Sequence, residues 1–225
     1  MLNRFMFTSS RFLAALCVGL VLLLSIVGAR AQNLSPSQLQ TLKNAINANP
    51  TWSAYPMGSD GYFALAKVLN ATAVPTFVVW RTDAPVANII DSITWANYTP
   101  NDAVGSSDTD PLLSRKIGWL LTSQTKQMNL QLMLQGRDTL NCSKATLRAG
   151  LRDAVILVPT GTGGANTSPG GASGVTVLTA CTRSATEAEK ILAGPSEQTG
   201  TVTANVLGFE GALTAQDVEA ARQLP

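Results

Sequence analysis

The run from Asp110 to Gly136, DPLLSRKIGWLLTSQTKQMNLQLMLQG, limits what this chain can fold into more than any other stretch, because it is the longest segment with helical punctuation at both ends. Asp110 can accept hydrogen bonds from the free N–H groups of a first turn, Pro111 fits the first helical position, and Gly136 can adopt the left-handed backbone that closes a helix. Leu113, Ile117, Leu120 or Leu121, Gln124, Met128 and Leu132 recur at three- and four-residue steps, with Gln124, Thr125 and Gln131 interrupting the apolar stripe. Such a face packs and also hydrogen-bonds. It suits a central helix in a bundle or an assembly, and it names no chemistry.

Residues 1–31 stand apart from the fold. Arg4 and Arg11 precede an apolar run from Phe12 to Val27, and Ala29-Arg30-Ala31 ends it in small residues, the pattern of a secretory signal peptide. The run falls short of the roughly 20 residues a membrane helix needs, which argues against an uncleaved anchor, and no stable span is expected after leader removal. Cys17 follows Leu16, where lipidation would need a small residue. Cleavage after Ala31 leaves residues 32–225 and, with Arg4, Arg11 and Arg30 gone, takes the formal charge from +2 to −1. No broad positive field then remains to attract phosphate backbones, and direct nucleic-acid binding is not expected. The remainder suffices for a single domain. Of its two cysteines, Cys142 and Cys181, the spacing leaves both a disulfide and two buried thiols open.

Taken in order, Ser35 and Gln38 form a capping-box pattern that opens a helix from Pro36 to about Ala48, stopped by Asn49-Pro50. Ser59 or Asp60 caps a second helix with Phe63, Leu65, Ala66 and Leu69 on its core face. Val74–Trp80 is the most strand-like stretch, but Pro75 argues against a central strand, leaving a short extended piece or buried turn. Thr82 or Asp83 caps a helix near Pro85, with Val86, Ile89, Ile90 and Ile93 inward and Trp95 and Tyr98 covering the core edge. Ser143 caps a further helix whose Leu147, Leu151, Val155 and Val158 oppose a solvated face of Lys144, Arg148, Arg152 and Asp153. Thr160–Gly174, with six glycines in fifteen residues, reads as a flexible arm. A helix over Val175–Ala193, an extended or loose piece over Thr199–Val206, and a last helix capped by Thr214 and Asp217 complete the chain. The expected fold is mainly α: an irregular bundle of six or seven helices in one domain, residues 32–225, with long polar loops, the arm at 160–174, and little or no sheet.

Enzyme function is not expected. With no histidine in the chain, Ser-His and Cys-His nucleophiles are impossible. Glu187 and Glu189 point to different sides of a helix, and Glu210 sits in a turn-like setting, so no carboxylate pair is selected. Asp102, Asp108 and Asp110 give only part of a calcium loop, without its glycine and terminal glutamate. The expectation is no metal and no cofactor. Asn-x-Ser/Thr sequences at Asn33, Asn70, Asn97, Asn141 and Asn166 are glycosylation acceptors only in a eukaryotic secretory setting.

Several segments carry a resemblance: Asn47–Ala71 (NANPTWSAYPMGSDGYFALAKVLNA), Ser123–Arg137 (SQTKQMNLQLMLQGR), Lys144–Val155 (KATLRAGLRDAV), Ala185–Ala193 (ATEAEKILA) and Gly208–Arg222 (GFEGALTAQDVEAAR). In order across most of residues 34–222, the chain resembles a family of small helical proteins of tailed bacteriophages and prophages, encoded among virion genes near the capsid and tail modules. The resemblance implies a non-enzymatic structural or assembly role at the head or head–tail junction, with other phage structural proteins or further copies of itself as partners. It supplies no catalytic residues. The leader departs from that pattern: it is either a start-site artefact, which implies the virion and host cytoplasm, or a real export signal. Export implies a periplasmic or secreted envelope protein that binds partners.

Overall fold

The computed structural model describes residues 34–101 and 112–225. Its helices among these residues are α1 (Pro36–Ala48), α2 (Pro50–Ser53), α3 (Ser59–Leu69), α4 (Val86–Asp91), α5 (Leu113–Leu134), α6 (Ala145–Val155), α7 (Val175–Ala180), α8 (Glu187–Ile191) and α9 (Ala215–Gln223). Its strands are β1 (Val78–Trp80), β2 (Ala84–Pro85), β3 (Thr139–Leu140), β4 (Thr182–Ser184), β5 (Ser196–Thr199) and β6 (Val202–Asn205).

The expected mainly α bundle is therefore corrected to an α/β mix. A four-stranded sheet runs in the order β4-β1-β6-β5, and β2 pairs with β3. β1 is central: it pairs antiparallel with β4 (Val78 opposite Ser184, Trp80 opposite Thr182) and parallel with β6 through Val79 and Asn205. Pro75 does not prevent this, because it lies ahead of the strand and its missing N–H falls outside the ladder. The piece expected to be extended or loose is the β5–β6 hairpin, turned at Gly200 with φ of +59°.

The helix expected over Val175–Ala193 is three elements. Thr182–Ser184 is drawn into the ladder beside β1, and Thr186 with Glu189 then forms a new capping box that starts α8. Other caps hold as read: Ser35 with Gln38 opens α1, and Thr214 with Asp217 opens α9. Ser59, Asp60, Thr82, Asp83 and Ser143 do not cap. Gly58 precedes α3, Pro85 precedes α4, Lys144 precedes α6, and the Ser143 hydroxyl bonds the Asn141 side-chain oxygen at 2.6 Å. The expected caps Asp110 and Pro111 of the long helix lie outside the described residues; Gly136 does take positive φ, +69°, just after α5.

The described residues form two apolar cores, one of which takes Trp80 and Ala204 from the sheet. One gathers Leu39, Leu42 and Ile46 of α1, Leu65 and Leu69 of α3, Ala188 of α8, Phe209, Leu213, and Val218 and Ala221 of α9. Leu213 and Val218 both enter it, as a staple across the α9 cap requires. The other gathers Trp80, Ile89, Leu130, Leu134, Leu140, Leu151, Val155, Val158, Val177 and the two cysteines. Stretch 160–174, expected as a flexible arm, lies against this second core. Gly170 sits where a Cβ would come within 2.3 Å of Val155, the Gly170 N–H donates to Val155 O at 3.1 Å, and Gly164 lies against the Trp119 ring.

Arg148 joins the sheet to α6. The sequence places it on a solvated basic face; instead it is 1% exposed. Its guanidinium carbon lies 4.3 Å from the centroid of the Trp80 ring. Nη1 donates to Cys142 O at 2.8 Å and Ser143 O at 2.9 Å, Nε donates to the Thr199 hydroxyl at 3.0 Å, and Nη2 pairs with Glu197. The reason is geometric: α6 turns the Arg148 position toward the β5–β6 hairpin, so that a planar fork meets the Glu197 carboxylate there and the two carbonyls of the loop before α6 at once. Removing it strands those acceptors and empties the space over Trp80. Arg148→Ala is expected to cost about 3–5 kcal/mol in urea unfolding, and Arg148→Lys to recover only a minor part, since an ammonium cannot span the same partners. A loss under about 1 kcal/mol for Arg148→Ala would show that the pocket relaxes without it.

Candidate functional site

The stretch that organises the sequence faces largely outward. Of α5, only Ser123, Leu130 and Leu134 are buried, and the Ser123 hydroxyl donates to Tyr98 O at 2.9 Å, tying the helix to the body. The more apolar stripe read as a packing face is exposed: Ile117 43%, Leu121 57%, Met128 59% and Leu132 62%. These side chains share one side of the helix, because steps of four and seven residues return to the same face. Thr122 and Thr125 hydroxyls bond back to Gly118 O and Leu121 O at 2.9 and 2.8 Å, so they compete little for outside partners. Lys126 is turned from the ridge and donates to Asp153 O at 2.5 Å and Asp153 Oδ1 at 3.3 Å.

Grooves lie on both sides of the ridge along its C-terminal half. One, of about 420 Å³, is lined by Ile90, Trp95, Gln131, Leu134 and Gln135. The other, of about 340 Å³, is lined by Asn129, Leu132, Met133, Gly150, Asp153 and Ala154. The first corrects one expectation, since Ile90, expected inward, is 38% exposed; Trp95, expected at the core edge, is 38% exposed as well. Trp95 is held in place by donating Nε1–H to Ile90 O at 3.2 Å, with Tyr98 5.9 Å away ring to ring. Burial pushes the Tyr98 hydroxyl up to about 12, and it donates to Ala154 O at 2.8 Å. The residues that line the groove carry no charge, and Gln131 and Gln135 are its polar members.

The other residues singled out in the sequence go elsewhere. Cys142 and Cys181 are both buried and joined to each other, with Cα atoms 5.6 Å apart, inside the span a disulfide bridges. Asp102, Asp108 and Asp110 lie outside the described residues. Among the described residues no group of three or more His, Cys, Asp or Glu is placed to hold a metal ion, and no helix is long and apolar enough to cross a membrane. Glu187, Glu189 and Glu210 are taken up by the fold. Glu187 accepts from Val74 N–H at 2.7 Å and lies 3.3 Å from Lys190 Nζ. Glu189 accepts both Nη groups of Arg183 at 2.7 Å, and Glu210 accepts from the Thr82 hydroxyl and stands 3.6 Å from Arg183. Each of these carboxylates is bound to a structural partner.

Comparison with protein-family models, curated proteins and solved structures finds no match to this chain.

The Glu189–Arg183 pair makes a pH prediction. Burial by itself raises the Glu189 carboxyl, but the Arg183 fork, the Thr186 N–H and the Gly211 backbone outweigh it and hold the group below its ordinary value. A carboxylate lowered in the folded state contributes stability above its unfolded value of about 4.3, and that contribution is lost as pH falls through the folded one. Glu189→Gln is expected to destabilise by about 1.5–3 kcal/mol at pH 7, and the difference from the native chain should shrink below about pH 4. Equal differences at pH 7 and pH 3 would mean the charge contributes nothing.

Proposed function

We propose that this chain is a non-enzymatic structural or assembly subunit of a bacteriophage particle that works through the outward ridge of α5. The single observation that carries the reading is the ridge itself: four large apolar side chains, 43–62% exposed, on one face of a 22-residue helix. Contiguous exposed apolar surface on this scale marks an interaction site, because leaving it in water costs free energy that a partner recovers. The virion setting rests on the segment resemblance, and the occupied carboxylates and absent histidines favour a binding role over chemistry. In purified particles, peptides of this chain are expected at a fixed ratio to the capsid protein, resistant to washing in high salt because the contact is apolar. Its absence from particles and from assembly intermediates would defeat the proposal.

A second reading, an exported envelope protein that binds partners, is favoured by the joining of Cys142 and Cys181 together with the leader pattern. A disulfide closing a loop with a sequence separation of 39 is worth about 2–4 kcal/mol. If the chain is exported, cells are expected to yield a shortened product beginning after Ala31 whose two cysteines resist alkylation until reduced. A cytoplasmic, full-length product with both thiols reactive after unfolding would exclude this reading.

A further inference from the structure

We infer that the occupant of the α5 ridge is a second copy of this chain, packed antiparallel across a two-fold axis between Gln124 and Thr125. The inference rests on the assembly reading above and names its first partner. Ile117, Leu121, Met128 and Leu132 are spaced by four, seven and four residues, a pattern that reads the same in both directions. A two-fold axis at its midpoint therefore sets Ile117 of one copy opposite Leu132 of the other and Leu121 opposite Met128, so each apolar side chain meets another, as an isologous interface demands. Antiparallel packing also places opposite ends of the two helix dipoles together.

Charge and shape agree with that occupant. Between Ile117 and Gln135 the only charged residue is Lys126, whose side chain is 16% exposed and engaged by Asp153. Facing its own copy, the ridge meets no like charge. Its polar members, Gln124, Gln131 and Gln135, carry amides that donate and accept, so they can pair with themselves. The grooves border the C-terminal half of α5, and the antiparallel arrangement brings the N-terminal half of the second copy, with its Ile117 and Leu121, over them. A ridge from each copy then enters a groove of the other.

The area sets the strength. A 22-residue helix is about 33 Å long and about 10 Å wide, a footprint of roughly 330 Å². The groove walls at Ile90 and Trp95 add to this, but the total stays below the roughly 800 Å² per partner of a standard interface. The pair is therefore a weak one, dissociating in the micromolar range and forming when subunits are concentrated.

Sedimentation of the full chain from about 1 to 300 μM tests the inference. The native chain is expected to pass from monomer to dimer, and Met128→Glu or Leu132→Glu to weaken the dimer at least tenfold without changing the circular dichroism. Phe63→Glu, at an exposed apolar position on α3, is expected to leave it unchanged. In a Cys17→Ser background, a mixture of Leu121→Cys and Met128→Cys chains should cross-link under mild oxidation, whereas Leu121→Cys alone should not. Self-cross-linking of Leu121→Cys alone would overturn the antiparallel arrangement. A monomer at every concentration would overturn the inference; if Leu132→Glu then also failed to enter particles, the ridge would belong to a different particle protein and the assembly reading would survive. A dimer from a chain absent from particles would leave the inference standing and remove that reading.

Discussion

The buried guanidinium of Arg148 is the interaction on which the arrangement of sheet and helices depends. A permanently charged group with five donors can be taken from water only where acceptors meet it from several directions. Here they come from three separate places: the loop before α6, strand β5, and the π-face of Trp80 on β1. Trp80 is itself fixed by its Nε1–H donating to Glu197 O at 3.2 Å, so ring, cation and carboxylate hold one another. Cys142 contributes to the same knot twice, through its carbonyl to Arg148 and through its sulfur to Cys181 beside β4. Strand β1 receives neighbours on both sides because this knot sets where α6 and the hairpin lie.

That arrangement explains why α5 is free to present a ridge. The second core closes over Trp80, Leu151, Val155 and Val177 with Leu130 and Leu134 of α5 buried in it and Met133 packed against it, partly buried. A helix needs little more than that to stay attached when a buried hydroxyl such as Ser123 fixes its rotation. The remaining faces are then available for contacts outside the chain.

Local chemistry was legible at some helix ends and not at others, since Ser59, Asp60, Thr82, Asp83 and Ser143 do not cap. Ser35 with Gln38, Thr214 with Asp217 and the stop at Asn49-Pro50 all act within four residues, and each was read correctly. The sheet was not, because its strands are three or four residues long and carry polar side chains such as Thr182, Ser196 and Gln198, and its central strand β1 finds both partners, β4 and β6, more than a hundred residues away. Arg148 was hidden by the same limit, since its partner Glu197 is remote in sequence. The α5 stripe was seen, but its destination was not. Helical periodicity identifies the most apolar face, and the face held by Ser123, Leu130 and Leu134 is less apolar than the one in water. Pattern alone does not distinguish a side chain kept for the core from one kept for another molecule. The Thr186-x-x-Glu189 box was the one visible clue that the Val175–Ala193 segment contains a break.

The first core is assembled from opposite ends of the described chain. Leu39, Leu42 and Ile46 close against Val218 and Ala221, Asn70 exchanges hydrogen bonds with Leu213 at 2.8 and 2.9 Å, and Lys43 reaches Leu224 O and Pro225 O at 2.9 and 2.7 Å. During synthesis this has a cost in time. Helices α1 and α3 leave the ribosome with their apolar faces uncovered and must wait for some 150 further residues, about 8–30 s at ordinary elongation rates, before α9 arrives. Such a nascent chain is a natural client for a chaperone that shields amphipathic helices, and a polypeptide interrupted ahead of Thr214 presents the same open face to the proteases that clear unfinished products.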